Sequence, residues 1–173
     1  YGCQELFLPN VFLRFLSGMQ SSLEQLVGNL REQSLLNGST LVGKRVAVAG
    51  GFGQGGGQKP TETLVSLPDG ADQLSMSVYD MDGNLVFRQN VGDLEPGEHR
   101  FAWSGQDMDG NQLPVDRYQV TASALVDGSI QVAPVSILET VSSVSWNPAI
   151  QQLDLQLLGG DTVSLAEIQT IAE

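Results

Sequence analysis

Two copies of one acidic pentapeptide contain the residues of this chain best suited to bind a metal ion. They span Asp80–Asn84 and Asp107–Asn111, and both read Asp-Met-Asp-Gly-Asn. A calcium loop of the EF-hand type needs a glycine directly after its third oxygen ligand and a bidentate glutamate as its last ligand. In both copies the glycine comes too early, and Val91 or Tyr118 stands where the glutamate would be. The sequence therefore predicts structural turns rather than calcium loops.

The residues that flank the first pentapeptide predict a β-hairpin. Apolar side chains alternate with polar ones on both sides of it, at Leu74, Met76 and Val78 before it and at Leu85 and Phe87 after it. An Asp-Gly pair between two such segments is typical of a tight hairpin turn, because glycine adopts positive φ without a Cβ penalty and Asp and Asn side chains bind nearby backbone groups.

No other set of residues forms a reactive constellation. His99 is the only histidine, and no cysteine lies near it in sequence to complete a metal site. Ser104-Gly105 does not belong to a nucleophile elbow, and the carboxylates fall in turns, where no pair stands out as general acid and base. The sequence predicts no catalytic, metal-binding or cofactor-binding residues, and we expect a protein that is not an enzyme.

Composition limits the partners and the architecture. The chain has 173 residues, enough for one domain or two small ones, with 20 acidic against 8 basic residues. Nucleic-acid binding needs clustered Lys and Arg and is therefore disfavoured. Lone Cys3 cannot form an intrachain disulfide. No apolar stretch is long enough for a membrane span, and a secretory signal is not supported. Because the chain begins at Tyr1, we expect its native N-terminus to be missing, removed or replaced.

Residues 1–40 are predicted to be helical. Apolar residues recur at the three- and four-residue spacing of a coiled-coil seam, at Leu16, Met19, Leu23, Leu26 and Leu30. Two interpretations stay open: a helix packed on its own domain, or a helix for oligomerisation or docking.

The next segment changes from helical to β character. Residues 42–49 are predicted to form a strand, and six glycines follow between Gly50 and Gly57. This glycine-rich run lacks the pattern and the following helix of a phosphate-binding loop, so it is predicted to be a flexible surface loop or linker.

The remaining sequence is predicted to be all β. Strands are expected near residues 63–67, 74–80, 84–90, 98–103 and 117–126, and their regular spacing favours a small β-sandwich. A final β segment, 130–165, contains apolar runs at 132–144 and 153–157 and a hairpin turn at Gly159–Asp161.

The order of these motifs resembles the FlgD family of flagellar hook-capping proteins. The likeness covers residues 15–173 and rests on four segments: a helix reading SSLEQLVGNLREQSLLNGST, the stretch LVGKRV before the glycine run, the central block SVYDMDGNLVFRQNVGDLEPGEHRFAWSGQDMDGNQLPVDRYQVTASA, and the tail LDLQLLGGDTVSLAEIQTI. The residues before position 15 depart from the family pattern.

This resemblance implies a mainly β fold with three parts. An Ig/fibronectin type III-like β-sandwich, residues 63–128, is inserted into a tudor-like small β-barrel formed by residues 41–62 and 129–173. An N-terminal helical or linker segment, residues 1–40, precedes them. Residues 50–57 and the crossings near 61 and 129 are then candidate hinges.

The resemblance also implies a function. Such proteins leave the cytoplasm through the flagellar type III export apparatus, form a homo-oligomeric cap at the distal tip of the growing hook, and promote ordered polymerisation of hook protein subunits. The alternative is an Ig-like adhesion or carbohydrate-binding module of a secreted bacterial protein, with Trp103, Tyr118 and Trp146 as its exposed platform. Trp103 shares strand parity with Phe101, which favours a place in the core instead.

Overall fold

A computed structural model describes residues 8–172 of the chain as one long helix followed by twelve strands. This agrees with the mainly β fold and the N-terminal helix predicted from sequence. The elements are α1 (Leu8–Ser39), β1 (Arg45–Ala49), β2 (Phe52–Gly55), β3 (Thr61–Leu67), β4 (Gln73–Tyr79), β5 (Leu85–Val91), β6 (Gly97–Trp103), β7 (Asp116–Val126), β8 (Ser129–Ala133), β9 (Val135–Asn147), β10 (Gln152–Leu157), β11 (Thr162–Ser164) and β12 (Ile168–Ala172), with a 3-10 turn at Leu165–Glu167.

The central strands form a two-layer β-sandwich. One layer has the strand order β2-β7-β4-β5, with β8 also paired to β7, and the other pairs β6 with β3 and β3 with the first residues of β9. Alternate side chains of both layers point inward, as the alternation in sequence predicts. The buried core comprises Val65, Leu67, Ala71, Leu74, Met76, Val78, Trp103, Tyr118, Val120, Ala122, Ala124, Ala133 and Ile137. The five strands predicted between residues 63 and 126 are confirmed.

The remaining strands form what we call the small module: β1, the later part of β9, β10, β11 and β12. They pair in the order β11-β10-β9-β1-β12. Its core is entirely aliphatic and consists of Leu41, Val46, Val48, Val141, Leu155 and Leu157. The resemblance implied a small barrel here, but the pairing found between residues 8 and 172 forms an open path that does not close.

Strand β9 belongs to both the sandwich and the small module. Its residues 135–138 pair with β3, residues 136–140 pair with β1, and residues 141–147 pair with β10. The backbone therefore passes from one unit to the other as a continuous strand, without a linker.

The glycine-rich run was wrongly predicted as a flexible loop. Its central residues, Phe52–Gly55, form β2, and all four pair with β7. A Cβ on Gly53 would lie 2.8 Å from Ile137 Cγ2, and one on Gly55 would lie 2.7 Å from Trp103 Cζ3. The glycines are present because the strand lies close against the core, so the segment is a packed strand and not the hinge suggested from sequence.

Three further boundaries differ from the prediction. The strand predicted from residue 42 begins at Arg45, because Leu41–Lys44 is a turn with Gly43 at a φ of +82°. The apolar run 132–144 is two strands, since Pro134 separates β8 from β9. Both β2 and β8 pair with β7, although the predicted division assigned residues 41–62 and 129–173 to the small module.

Candidate interaction surfaces

The twin pentapeptides form the same tight turn twice. In the first, the backbone N–H groups of Asp82 and Asn84 donate to Asp80 Oδ1 at 3.0 and 2.8 Å, and the Asn84 side chain donates to Asp80 Oδ2 at 2.9 Å. Gly83 has a φ of +84°. The hydrogen bonds from the Asn84 side chain and backbone hold the pKa of Asp80 below its ordinary value. The carboxylate oxygens that would bind a metal are thus used within the turn.

The second turn repeats this geometry in a different setting. Asp107 accepts from Asp109 and Asn111 at 2.9 and 2.8 Å, and Asn111 hydrogen bonds lower its pKa as well. The first turn joins the paired strands β4 and β5, whereas the second lies between β6 and β7 and is closed by a bridge between Gln106 and Gln112. Both copies are turns, as the sequence predicted. Within residues 8–172, no group of three or more His, Cys, Asp and Glu side chains is arranged to hold a metal ion.

The aromatic side chains proposed as a sugar-binding platform do not form one. Trp103 and Tyr118 are 5 % and 4 % exposed and meet edge to face with ring centroids 5.0 Å apart. Trp103 Nε1 donates to the Gln106 carbonyl and Tyr118 Oη to the Pro114 carbonyl, both at 2.8 Å. Trp146 lies on β9 near the base of α1, away from this pair. The prediction that Trp103 belongs to the core is confirmed.

His99 takes part in a local contact on β6. Its Nε2 lies 2.8 Å from the carbonyl oxygen of Glu95, in the turn that precedes the strand. The histidine lies within β6, and the contact connects it to the turn that precedes this strand.

A polar cleft of about 470 Å³ lies between the sandwich and the small module. Glu139, on β9, projects into it and accepts a hydrogen bond from the backbone N–H of Gln54 at 3.3 Å. The backbone N–H of Gly159, in the turn between β10 and β11, also donates to this carboxylate. Burial raises the pKa of Glu139, while the two backbone donors and Lys59 oppose this rise and Asp161 adds to it. One carboxylate therefore binds β2 of the sandwich and a turn of the small module at once.

Two ion pairs join the same two units. Arg45 of β1 contacts Glu62 of β3 at 2.6 Å, and Arg117 of β7 contacts Asp161 of the β10–β11 turn at 3.2 Å. Together with the Glu139 contacts, they are polar contacts between the sandwich and the small module. None of these contacts was predicted from sequence. The one local signal is the single carboxylate of Glu139 within β9, and it concerns only the contacts of Glu139 itself.

An apolar groove of about 830 Å³ lies at the base of α1. Val27 and Leu30 form its helical wall and are 53 % and 62 % exposed, and Trp146, Leu153 and Leu165 line the opposite side. The helix approaches the small module at Gly38, where a Cβ would lie 2.7 Å from Leu153 Cδ1. The C-terminal end of α1 is therefore in close contact with the small module.

The predicted coiled-coil seam lies on this helix. Leu26 and Leu30 are 58 % and 62 % exposed, and the side chains of Leu16, Met19 and Leu23 lie outside the described residues. The two seam residues that can be placed are thus available to a partner. No helix in the described part of the chain has both the length and the apolar character that crossing a membrane requires.

Known proteins resemble this chain in sequence, both in the sandwich and over most of its length. A family model described as "FlgD Ig-like domain" matches residues 52–128, from the start of β2 to the turn after β7. The basal-body rod modification protein FlgD of Salmonella typhimurium is 28 % identical over 160 residues, which cover 88 % of this chain and 68 % of that protein. The Escherichia coli FlgD is 29 % identical with the same coverage. The chain is therefore similar to FlgD proteins over most of its length.

Solved FlgD structures share the fold described above. The FlgD crystal structure from P. aeruginosa is 29 % identical with a TM-score of 0.65, and it covers 76 % of this chain and 98 % of that one. The FlgD structure from Xanthomonas campestris has a TM-score of 0.72 at 25 % identity, with 80 % and 99 % coverage. That protein is described in terms of hook capping essential for flagellar assembly. The family model starts at residue 52, which agrees with the pairing of β2 to the sandwich.

Proposed function

We propose that this chain is a flagellar hook-assembly scaffold that caps the growing hook and promotes ordered polymerisation of hook protein subunits. The observation that supports this most strongly is the extent of the match. It covers 88 % of the chain against the Salmonella FlgD, well beyond the 52–128 segment of the Ig-like domain. A likeness confined to the Ig-like part would fit many surface proteins, because one fold serves many functions.

The adhesion or carbohydrate-binding alternative is not supported. Its platform required Trp103 and Tyr118 at the surface, but both side chains are buried and hydrogen-bonded. The proposed scaffold needs no reactive side chain, and we accordingly propose that the chain is not an enzyme.

A scaffold needs binding surfaces held in a defined relation, and the polar contacts between the sandwich and the small module support this. We propose a helical segment at 1–40, a small module from 41–62 and 129–173, and a sandwich at 63–128, with β2 and β8 contributing to the sandwich sheet. Continuous β9, the Glu139 contacts and the two ion pairs then hold sandwich and small module in one orientation.

The proposed partners are the hook protein, further copies of this chain in a homo-oligomeric cap, and the type III export apparatus, with the distal tip of the growing hook as the location. Exposed Leu26 and Leu30 on the seam of α1 support self-association through this helix. An exposed apolar stripe at coiled-coil spacing is stabilised when a second helix covers it.

The self-association of α1 can be tested by charge substitution. Replacing Leu26 and Leu30 together by Glu should lower the mass measured by light scattering, because four carboxylates would meet in a dimeric seam. The matched control replaces Gln25 and Asn29 by Glu on the same helix, where both residues are exposed, and it should keep the wild-type mass. An unchanged mass in the seam variant would reject α1 as the association element.

The hook-capping function is tested by complementation. A motile strain whose own hook-capping gene has been deleted should regain hooks, seen by electron microscopy of basal bodies, when it expresses the full-length gene product. The same strain without the plasmid should release unpolymerised hook protein into the medium. Normal expression of the gene product without any hooks would contradict the proposed function.

A further inference from the structure

Strand β8 is an exposed, uncharged sheet edge. It pairs with β7 on one side, and no described strand pairs with its other side. Ile130 and Val132 are 79 % and 85 % exposed. Edge strands are usually protected from further pairing by charges, proline or short length. Two edges of the sandwich follow this rule, since β5 carries Arg88 and β6 carries Glu98 and Arg100. The edge strand β2 is uncharged but has only four residues, and β8 (Ser129–Ala133) has neither a charge nor a proline.

The turn before β8 determines which of its backbone groups are free. Asp127 and Gly128 connect β7 to β8 with φ angles of 49° and 77°, the left-handed pair of a two-residue hairpin turn. In such a hairpin the residues that flank the turn, Val126 and Ser129, form a hydrogen-bonded pair. Along the ladder away from the turn, hydrogen-bonded pairs then alternate with pairs that share no hydrogen bond. The N–H and C=O groups of Ile130 and Val132 therefore point away from β7. The residues with free backbone groups are the same two that expose large apolar side chains.

The outer sheet face beside this edge carries no carboxylate. Ile130 and Val132 lie opposite Leu125 and Ser123 of β7, on the outer face of the sheet. Along β2, β4, β7 and β8 that face is formed by Phe52, Gln54, Gln73, Ser75, Ser77, Tyr79, Arg117, Gln119, Thr121, Ser123, Leu125, Ile130 and Val132. None of these is acidic, although the chain has 20 acidic residues and a net charge of −12. Two copies can approach here without bringing carboxylates together.

We propose that β8 pairs with β8 of a second copy of this chain, antiparallel about a two-fold axis through Gln131. In this register Ile130 lies opposite Val132 of the other copy, and Val132 opposite its Ile130. The outward backbone groups of these residues form about four hydrogen bonds across the axis, and two β-branched aliphatic pairs become covered. A strand that is complementary to itself suits such a two-fold contact.

The register also keeps the nearest acids apart. Asp127 lies in the turn before β8, two residues before Ser129. The two copies of Ser129 are already about 13 Å apart in this register, so the two Asp127 carboxylates lie beyond the screening length of about 8 Å at physiological salt. This contact rests on the geometry of β8 alone and not on the hook-capping function. It also differs from α1 association, because it uses a strand of the sandwich and not the N-terminal helix.

Disulfide formation tests the register directly. With Cys3 replaced by Ser, a Gln131→Cys variant places two thiols directly opposite each other across the axis. Position 131 is a non-hydrogen-bonded pair of the proposed ladder, where the two Cα atoms are about 4.5 Å apart and within disulfide range. Mild oxidation should convert most of the protein to a covalent dimer. In the matched control, Ser129→Cys in the same background, the two cysteines are about 13 Å apart, so dimers should not exceed random collision. Equal cross-linking in both variants would overturn the proposal.

A charge variant tests whether the contact forms without a cross-link. Val132→Lys should raise the dissociation constant of the pair, measured by sedimentation equilibrium of the full chain, at least about tenfold, because it removes two aliphatic pairs and introduces two charges at the contact. Met81→Lys adds the same charge at an exposed turn of the sandwich and should leave the constant unchanged. Circular dichroism melting confirms that both variants are folded. A Val132→Lys variant with wild-type association would refute β8 pairing and would leave the hook-capping proposal untouched.

Discussion

The sandwich and the small module each bury an apolar core, but the two cores differ in size and composition. The sandwich buries thirteen residues, among them the edge-to-face pair of Trp103 and Tyr118, whereas the small module buries six aliphatic residues, one of them, Leu41, supplied by the turn after α1. Both units share β9. A small core supports little stability by itself. We therefore expect the sandwich to stabilise the small module more than the reverse.

The largest effect is expected from Trp103→Ala. The side chain is 5 % exposed and touches Tyr118 and Phe87, so its removal should lower the free energy of unfolding by about 4 kcal/mol. Trp146 remains as the fluorescent reporter of the small module, and its unfolding midpoint in urea should fall too, because β9 loses its pairing with β3. A Trp146 midpoint equal to wild type would show that the units are independent.

A smaller and more local effect is expected from Leu155→Ala in the small module. Leu155 is fully buried, and the cavity should cost about 3 kcal/mol. In a Trp146→Phe background, fluorescence of Trp103 follows the sandwich, whose midpoint should change little. Leu158→Ala is the control, because Leu158 is 61 % exposed and its loss should change stability by less than about 0.5 kcal/mol. If the unfolding midpoint followed by Trp103 fell as far as the midpoint of the small module, the sandwich would depend on the small module as much as the reverse.

Gly55→Ala tests how tightly β2 is packed on the sandwich. The new Cβ would meet Trp103 at 2.7 Å and Thr61 Oγ1 at 2.9 Å, so overpacking should cost about 1–3 kcal/mol in thermal or urea unfolding. Gly92→Ala is matched to it, because nothing lies within 4 Å of that Cβ and its φ is not in the left-handed region. The control should be neutral or stabilising by about 0.5 kcal/mol. Identical behaviour of the two variants would restore the flexible-loop interpretation.

The smallest effect is expected from Glu139→Gln at the cleft. Because burial raises the pKa of this carboxyl in the folded state, the folded protein binds its proton more readily than the unfolded chain does. The contribution of Glu139 to stability is therefore largest at low pH and falls as pH rises from the ordinary value of 4.5 through the raised pKa. Gln keeps an oxygen for the N–H groups of Gln54 and Gly159 and removes this fall.

The measurement compares the melting temperature of wild type and Glu139→Gln between pH 4.5 and pH 7. As pH rises, the melting temperature of the variant should increase relative to that of wild type. The corresponding change in the free energy of unfolding should be within about 1 kcal/mol in total. Glu167→Gln serves as control, because Glu167 lies in the 3-10 turn outside the cleft. A constant difference across this pH range would show that Glu139 ionisation does not couple to the contact between the two units.

Local signals explain what could be predicted from sequence. The strands of the sandwich and the turn at Asp80 depend on alternation and on turn residues a few positions apart, so a short window contains the needed information. The core position of Trp103 followed from strand parity with Phe101. The FlgD resemblance added the order of the units, which no periodicity contains.

The features that were missed depend on residues far apart in the chain. The glycines of β2 are explained by Ile137 and Trp103, which approach them only in the folded protein. The contacts of Glu139 with Gln54 and Gly159 likewise join residues that are distant in sequence and meet only in the folded protein. Proline between β8 and β9 was a local signal that could have separated these strands, because proline interrupts a β ladder.

The shared strand has a consequence for the order in which the chain folds. Ala47 of β1 pairs with Leu138 of β9, so the ladder closes a loop of about ninety residues, and loops of this length make folding slow and entropically costly. The sandwich forms within that loop and brings the two ends together. A chain emerging from its N-terminus onward must therefore keep β1 unpaired until nearly all of the sandwich has appeared, and the small module is the last unit to become complete.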